Sequence, residues 1–192
     1  MQENTLFLEK PQMAYHKAFI EALKDLQALE HDRYYVEKSL DVKKLAQKEN
    51  FAAYLKDLAQ QEAGINLAPK RVAQTVYWLM EKQADGQIVC LGRVTIRHQL
   101  TEYLRRIGGH VGYVIRPSAR RQGYGSKLLA LSLEKIKQGQ PSLDENRVLL
   151  TCDETNLGSK KIIEKNNGIL TATNEQEPPL PKKLLYWIEL DS

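Results

Sequence analysis

A glycine-bearing loop that begins with two arginines is the segment of this 192-residue sequence with the clearest chemical capacity. It reads Arg120-Arg121-Gln122-Gly123-Tyr124-Gly125-Ser126. Glycines let the backbone approach a ligand closely, and the first turn of a following helix presents N–H groups that no helical carbonyl satisfies. Because the helix dipole also favours negative charge at that end, the loop predicts a binding site for an anion.

Positive charge is concentrated around this loop. The formal net charge of the chain is only +4, yet no acidic residue occurs over residues 103–133. The basic residues of that stretch are Arg105, Arg106, Arg116, Arg120, Arg121 and Lys127. The sequence therefore predicts one region of strong positive potential, suited to a phosphate-bearing ligand.

The elements that must hold the loop follow from the hydrophobic pattern. Alternating or continuous apolar runs predict strands over residues 5–8, 74–81, 87–96, 110–115, 147–151 and 184–190. Helical spacing of apolar residues predicts helices from Pro11 to about Leu29, and over residues 41–60, 126–138 and 159–166. Asp85-Gly86 is a hairpin turn signal between the second and third strands. The loop thus joins a strand to a helix in a chain of the α/β class.

The loop and two further segments resemble the GNAT acetyltransferase superfamily. The loop is similar to the signature Gln/Arg-x-x-Gly-x-Gly/Ala, with Arg120, Gly123 and Gly125 in its fixed places. Residues 113–118 resemble the strand before that loop, and residues 156–168 resemble the later Asn-helix-Gly motif. The resemblance extends from about residue 75 to the C-terminus.

This resemblance implies a particular fold and domain organisation. We expect an α/β (α+β) GNAT fold, with a central mixed, mostly antiparallel twisted sheet that is flanked by helices and whose splayed middle strands hold the cofactor. We expect residues 1–192 to form a single GNAT N-acetyltransferase domain. Residues 1–73 would supply a variable strand and helices, and residues 74–192 the acetyl-CoA-binding core.

The resemblance also implies acetyl-coenzyme A (acetyl-CoA) as cosubstrate. Backbone groups of the strand would pair with the pantetheine arm, and N–H groups of the loop would hold the pyrophosphate. The cofactor-binding residues so implied are Tyr113, Val114, Ile115, Arg120, Arg121, Gln122, Gly123, Tyr124, Gly125, Ser126, Asn156 and Ser159. The N–H of Val114 or Ile115 would stabilise the oxyanion. For Asn156 an ordinary helix N-cap is an equal alternative, because Asn favours that position.

Acetyl transfer to an amine also requires a general base, because a lysine-like ammonium with a pKa of about 10.4 is protonated at neutral pH. The candidates are His98 and Glu102, which follow the third strand, and His110, which opens the fourth and is slightly favoured. For each of them, an ordinary surface or structural polar group is the commoner role. Many family members place a tyrosine, the acid that protonates the departing thiolate, immediately before the position of Glu164. Ile163 stands there in this chain, so the resemblance supplies no acid.

Other function classes fit less well. The loop lacks the Gly-x-Gly-x-x-Gly of Rossmann folds and the Gly-Lys-Ser/Thr of P-loops. The two cysteines, Cys90 and Cys152, lie in apolar runs and predict buried thiols rather than a disulfide or a metal site. We expect no metal, no nucleic-acid partner and no membrane span, and a cytoplasmic location. The main prediction is an N-acetyltransferase for a primary amine of a small molecule or peptide. A non-catalytic acetyl-CoA-binding module is the alternative, and a homodimer is left open.

Overall fold

Two antiparallel sheets form the scaffold of the computed structural model, which describes residues 4–28, 39–143 and 145–190. The strands are β1 (Thr5–Glu9), β2 (Gln74–Lys82), β3 (Ile88–Arg97), β4 (Val111–Ile115), β5 (Arg147–Asp153), β6 (Ile169–Asn174) and β7 (Lys183–Glu189). The first sheet has the order β1-β2-β3-β4, and the second has the order β5-β7-β6. The two sheets therefore adjoin where β4 lies beside β5.

Five helices cover these sheets in the described ranges. They are α1 (His16–Gln27), α2 (Val42–Leu45), α3 (Lys48–Ala63), α4 (Tyr124–Lys137) and α5 (Leu157–Lys165). A π-helical turn, Leu104–Gly108, lies between β3 and β4. No helix in these ranges has both the length and the apolar character that a membrane span requires.

The first sheet buries both of its faces, which explains the nearly continuous apolar run of β2. On one face Trp78 packs against aromatic residues of α1 and α3, and its ring stacks on Phe19 at a centroid distance of 4.3 Å. On the other face Leu79 joins a core that includes Leu128 of α4 and Tyr186 of β7. Because α4 packs against this second face, the position of the glycine loop at its start is set by the core.

The predicted mixed α/β architecture with a mostly antiparallel sheet is confirmed, with two differences in the elements. The segment predicted as one helix over residues 41–60 forms α2 and α3, because Gln47, at the N-cap position of the second helix, adopts an extended backbone conformation. The strand β6 was not predicted, since it is exposed along most of its length and lacks an apolar face. Leu29, the last apolar position of the predicted first helix, lies outside the described residues.

A carboxylate ties α1 to the segment between β4 and the glycine loop. Asp25 accepts hydrogen bonds from Arg116 Nε at 2.7 Å and from Ser118 Oγ at 2.5 Å. Burial opposes the charge of Asp25, but the hydrogen bonds from Ser118 and Arg116 outweigh it and lower the pKa of the carboxyl group. The N-terminal helix therefore fixes the end of β4 through a charge.

We expect Asp25→Asn to lower the free energy of unfolding by about 1–2 kcal/mol at pH 7, because hydrogen bonds to a charged group are lost. The folded-state pKa is lowered, so the carboxylate stabilises the fold above its unfolded-state pKa of about 3.9 and stops doing so as pH falls through the folded-state value. The difference in unfolding free energy from wild type should shrink below about pH 4. Urea unfolding at pH 7 and below pH 4 measures this difference. Glu21→Gln, an exposed acid on the same helix, is the control, and an equal loss at both pH values would contradict the role of the charge.

Candidate active site

A pair of hydrogen bonds joins β4 to β5 where the chain enters β4. The N–H of His110 donates to the carbonyl of Leu149 on β5 at 2.7 Å, and the N–H of Leu149 donates to Nδ1 of His110 at 2.9 Å. Beyond this point the two strands continue in different sheets. We call this contact the vertex and the space between β4 and β5 beyond it the wedge. In a regular ladder the N–H of Leu149 would donate to a carbonyl of the neighbouring strand. Here it donates to the imidazole of His110 instead.

The approach to the vertex depends on Gly109. Its φ of +64° and ψ of −176° lie in a region that is essentially restricted to glycine. A Cβ at this residue would also lie 2.6 Å from the carbonyl oxygen of Leu149. Arg97 holds the same turn, because its guanidinium donates to the carbonyls of Gly108 at 3.1 Å and Gly109 at 2.9 Å. The turn that leads into the vertex therefore tolerates no side chain at Gly109.

The register of β3 and β4 decides which backbone groups face the wedge. After the end of β4 the N–H of Arg116 donates to the carbonyl of Leu91 at 2.9 Å. Pairs in an antiparallel ladder alternate between bonded and non-bonded, so the backbone groups of Val114 also point to β3. The residues whose backbone groups point to the β5 side are Val111, Tyr113 and Ile115. These amides could pair with an extended ligand in the wedge, as an added strand would.

The glycine loop forms the N-terminus of α4 at the far end of β4. Gly123 is the N-cap, with a φ of +83°, and no side chain caps the first turn of the helix. The first turn also contains no acidic residue. The predicted strand, glycine loop and helix therefore occur in that order, and the N–H groups of the first turn are available to an anion.

Gly125 has a different role from Gly123. It lies inside α4, and a Cβ there would lie 2.5 Å from Cδ1 of Ile162 on α5. Asn166, which ends α5, adds a second link by donating to the carbonyl of Ser126 at 3.3 Å and to its Oγ at 3.2 Å. Contacts with α5 therefore hold the start of α4 in place. Of the two glycines, only Gly123 has a backbone conformation that requires glycine.

The side chain of Tyr113 crosses to α5. Its hydroxyl group lies 2.8 Å from Oγ of Ser159, and the backbone N–H of Ser159 donates to Oδ1 of Asn156 at 3.0 Å. Asn156 is therefore the N-cap of α5, whatever else it does. Burial is the largest cause that raises the pKa of Tyr113, so the phenol stays protonated at neutral pH and can donate a hydrogen bond. Ile163, whose aliphatic side chain has no donor, is fully buried in the core.

Cys152 of β5 is the same number of residues past the vertex as Tyr113, and the two groups interact electrostatically. The prediction that both cysteines are buried thiols is confirmed. Burial raises the pKa of Cys152 to about 11, so the thiol is protonated at neutral pH. Among the described residues no cluster of side chains could hold a metal ion.

The three candidate bases lie in different surroundings. His110 is 1% exposed, and its Nδ1 lone pair accepts the N–H of Leu149. His98 is half-buried at the end of β3, and its Nε2 lies 2.8 Å from Oγ1 of Thr75. Glu102 is exposed and lines a shallow groove with Tyr103, Arg106 and Ile107. The three side chains therefore differ in burial and in the groups they contact.

Comparisons with known proteins agree with this geometry. A family model described as an acetyltransferase (GNAT) domain matches residues 19–168. The chain belongs to the GNAT acetyltransferase family. It is therefore an acyltransferase. No curated protein matched the chain.

Solved structures with the GNAT fold match nearly the whole chain at low identity. RimL, a ribosomal L7/L12 alpha-N-protein acetyltransferase in complex with coenzyme A, is 15% identical with a TM-score of 0.65, covering 97% of this chain and 95% of that one. The microcin C7 self-immunity acetyltransferase MccE, in complex with acetyl-CoA and AMP, is 11% identical with a TM-score of 0.63, covering 98% and 93%. The putative acetyltransferase yncA from Salmonella typhimurium, with acetyl-CoA, is 14% identical with a TM-score of 0.59, covering 97% and 95%. At these identities the likeness shows the fold.

The positive charge around the GNAT loop is partly compensated in the structure. Arg105 forms an ion pair with Glu145 at 2.5 Å, and Arg116 pairs with Asp25. The Nε of Arg120 donates to the carbonyl of Ile115 at 3.0 Å. Arg121 and Lys127 are exposed at the loop. The sequence stretch overstated the local charge, because its acidic partners come from distant parts of the chain.

Several residues that shape the site were not among the predicted site residues. Gly109 and Arg97 shape the turn before β4, and Thr75 contacts His98. The diglycine Gly108-Gly109 before His110 could have indicated a constrained turn. Thr75 could not have been found, because its partner is more than twenty residues away in the sequence and lies beside it only through strand pairing.

We expect Gly109→Ala to destabilise the protein by at least about 1–2 kcal/mol, the cost of the unfavourable backbone conformation, with a further loss from the clash with Leu149. Because the vertex must move, affinity for coenzyme A should fall as well. Thermal denaturation and titration calorimetry measure the two effects. Gly86→Ala is the matched control, since Gly86 has a φ of +85° and a Cβ there would meet nothing within 4 Å. An equal loss of stability in both variants, with unchanged affinity, would rule out the contact at the vertex.

Proposed function

We propose that the chain is an N-acetyltransferase that moves the acetyl group of acetyl-CoA to a primary amine on a small molecule or peptide, by direct attack in a ternary complex. The observation that carries this proposal is the wedge, which runs from the glycine loop to the vertex and is lined by backbone amides of β4. Family membership supports the acetyl transfer itself, and the wedge supports a linear, amide-bearing arm as the ligand.

The residues present fit coenzyme A along the whole wedge. The first-turn N–H groups of α4, with Arg121 and Lys127 beside them, would hold the pyrophosphate. The backbone groups of Tyr113 and Ile115 would pair with the pantetheine arm, and one of these amides would stabilise developing negative charge on the carbonyl oxygen. Val114 fits this second role less well, because its N–H points to β3. When bound, acetyl-CoA supplies an acetyl group activated as a thioester.

The hydroxyl pair of Tyr113 and Ser159 would donate a hydrogen bond to the departing sulfur. The phenol stays protonated, so it always has a hydrogen atom to donate. A thiolate is also a fair leaving group by itself, which makes a hydrogen bond sufficient. In many family members a tyrosine at the position of Ile163 serves the departing thiolate. Here the hydroxyl pair, with Tyr113 on β4, would take that role.

Two classes of acceptor amine are compatible with the site, a peptide and a small molecule. RimL acts on a ribosomal protein, and MccE confers immunity to microcin C7. The exposed groove at Glu102 and Tyr103 lies next to the N-terminal end of β4 and would admit either a peptide terminus or a small amine. A screen should therefore include peptides that begin with ribosomal protein sequences as well as polyamines, aminoglycosides and amino acids.

We expect release of free coenzyme A thiol from acetyl-CoA with at least one class of amine. Gly123→Asp should abolish turnover and lower acetyl-CoA affinity by tenfold or more, because a carboxylate would repel the pyrophosphate. Gly139→Asp is the matched control: its φ is +70°, nothing lies within 4 Å, and it follows the C-terminus of the same helix. Its affinity should equal that of wild type. Tight binding of acetyl-CoA without turnover for any amine would instead support a non-catalytic binding module.

The general base fits His98 better than His110. For His110 to accept a proton at Nδ1, the ring would have to release the N–H of Leu149 and open the vertex. His98 holds its Nε2 against a hydroxyl group and is half-buried rather than enclosed. Glu102, which is exposed, would need a bridging water.

We expect His98→Ala to lower kcat/KM at pH 7 by about 10²-fold, a typical loss for a general base, with the deficit shrinking as rising pH deprotonates the free amine. His110→Ala should instead lower the melting temperature and acetyl-CoA affinity, because it removes the vertex bond. Glu102→Gln tests the third candidate base in the same assays. Measurements of the pH–rate profile, the melting temperature and the dissociation constant separate these effects. A folded His110→Ala variant with intact affinity and a 10²-fold loss of kcat would return the base role to His110.

A further inference from the structure

Three side chains from three elements form a continuous hydrogen-bonded chain behind His98. Oγ1 of Thr75, on β2, lies 2.8 Å from Nε2 of His98 and 3.2 Å from Oε1 of Glu62, on α3. Thr75 is 1% exposed, so its hydroxyl group needs these partners. The ammonium group of Lys10, just after β1, lies 2.7 Å from the same carboxylate oxygen. We call Glu62, Thr75 and His98 the relay.

The chemistry of the groups sets the direction of every hydrogen bond in the relay. A carboxylate that pairs with an ammonium group can only accept, so Thr75 donates its single proton to Glu62. The oxygen of Thr75 must then accept from His98, which places the imidazole proton on Nε2. In the neutral ring the lone pair is therefore on Nδ1, the nitrogen atom that a general base would use.

The relay is fixed in position by the sheet. The N–H of His98 donates to the carbonyl of Ala73 at 2.9 Å, which holds the residue to the strand that carries Thr75. Arg97, the preceding residue, pairs through its N–H with the carbonyl of His110 at 2.8 Å. His98 thus follows the β3 residue that pairs with His110 at the vertex. In the proposed complex the acetyl group would lie near this end of β4.

We infer that Thr75 and Glu62 are positioning residues for acetyl transfer, which hold His98 as the Nε2–H tautomer so that Nδ1 accepts the proton of the acceptor ammonium. This inference rests on the proposed function. In the step, one proton moves from the ammonium nitrogen to Nδ1, leaving a neutral amine and an imidazolium. The Nε2–H stays bonded to Thr75, the hydroxyl proton stays directed at Glu62, and the imidazolium later returns its proton to solvent. No proton travels along the relay.

The carboxylate of Glu62 would also stabilise the imidazolium through Thr75. Other titratable groups of the described residues face the relay: Lys10 offsets part of the charge of Glu62, and Tyr77 on β2 interacts with Glu62. Burial, followed by the charge of Glu62, raises the pKa of Tyr77, so this phenol stays neutral at working pH. Arg97 turns its guanidinium towards the carbonyls of Gly108 and Gly109. Loss of the relay should therefore weaken His98 as a base.

The test combines the tautomer of His98 with the pH dependence of turnover. Nitrogen-15 NMR of the imidazole rings should show a proton on Nε2 of His98 in the wild-type protein. In Thr75→Val, a nearly isosteric change on a β-branched position, we expect loss of this fixed tautomer. We expect kcat/KM to fall about tenfold, and the acid limb of its pH profile to move to lower pH. Thr75→Ser, which keeps the hydroxyl group, should restore both properties.

The chain offers a matched control for the packing of α3 on β2. Gln74 donates to Gln61 at 2.6 Å, which joins the same two elements one residue away from Thr75 and Glu62. Gln74→Leu removes this bond without touching His98, so it should leave the tautomer and the pH profile unchanged.

The outcomes show separately whether the relay and the proposed function hold. A proton on Nδ1 of His98 in the wild-type protein would overturn the relay, whether or not an acceptor is known. The Nε2–H tautomer with the same pH profile in Thr75→Val as in wild type would overturn the positioning role and leave the acetyltransferase proposal intact. Absence of turnover with every amine would count against the proposed function, and the tautomer in wild type and Thr75→Val would still decide the geometry.

Discussion

The paired hydrogen bonds between His110 and Leu149 are the constraint on which the rest of the site depends. Two strands that share a full ladder leave no room for a ligand, and two strands that share no bond have no defined spacing. One backbone bond and one imidazole bond at the vertex give β4 a fixed start beside β5, after which the two strands pair within different sheets. The buried ring satisfies an N–H that would otherwise carry a desolvation cost of about 1–3 kcal/mol.

The opposite end of the wedge is fixed by contacts that come from both sides of the glycine loop. Asp25 of α1 holds the chain before the loop, and the hydroxyl group of Tyr124 donates to the buried Glu81 of β2 at 2.8 Å. Behind the loop, Gly125 lets α5 approach α4 closely. An anion site made of backbone N–H groups needs such support, because its donors cannot rearrange independently to follow a ligand.

The neutral and the charged polar groups lie in different parts of the site. Tyr113 of β4 and Cys152 of β5 are both kept protonated, chiefly because burial disfavours their charged forms. A sulfur atom that leaves as a thiolate would therefore meet neutral donors rather than a second negative charge. The carboxylate of Glu62 lies outside the wedge, behind Thr75. This separation suits a reaction in which a proton is removed at one end and negative charge develops at the other.

The loop sequence, the order of strand, glycine loop and helix, the buried thiols and the membership of an acetyltransferase family could all be inferred from residues close together in the chain. Local spacing carries this information because glycine conformation, helix capping and strand alternation are short-range properties.

The spacing could not show that β6 is a strand, since β6 is held by β7 and has no buried face of its own. Nor could it distinguish His110 from His98: both are histidines beside β-strands, and only the folded chain brings the N–H of Leu149 to one ring and the hydroxyl group of Thr75 to the other. Which imidazole nitrogen carries the proton, and hence which histidine can act as a base, is decided by partners distant in sequence that strand pairing places within hydrogen-bonding distance.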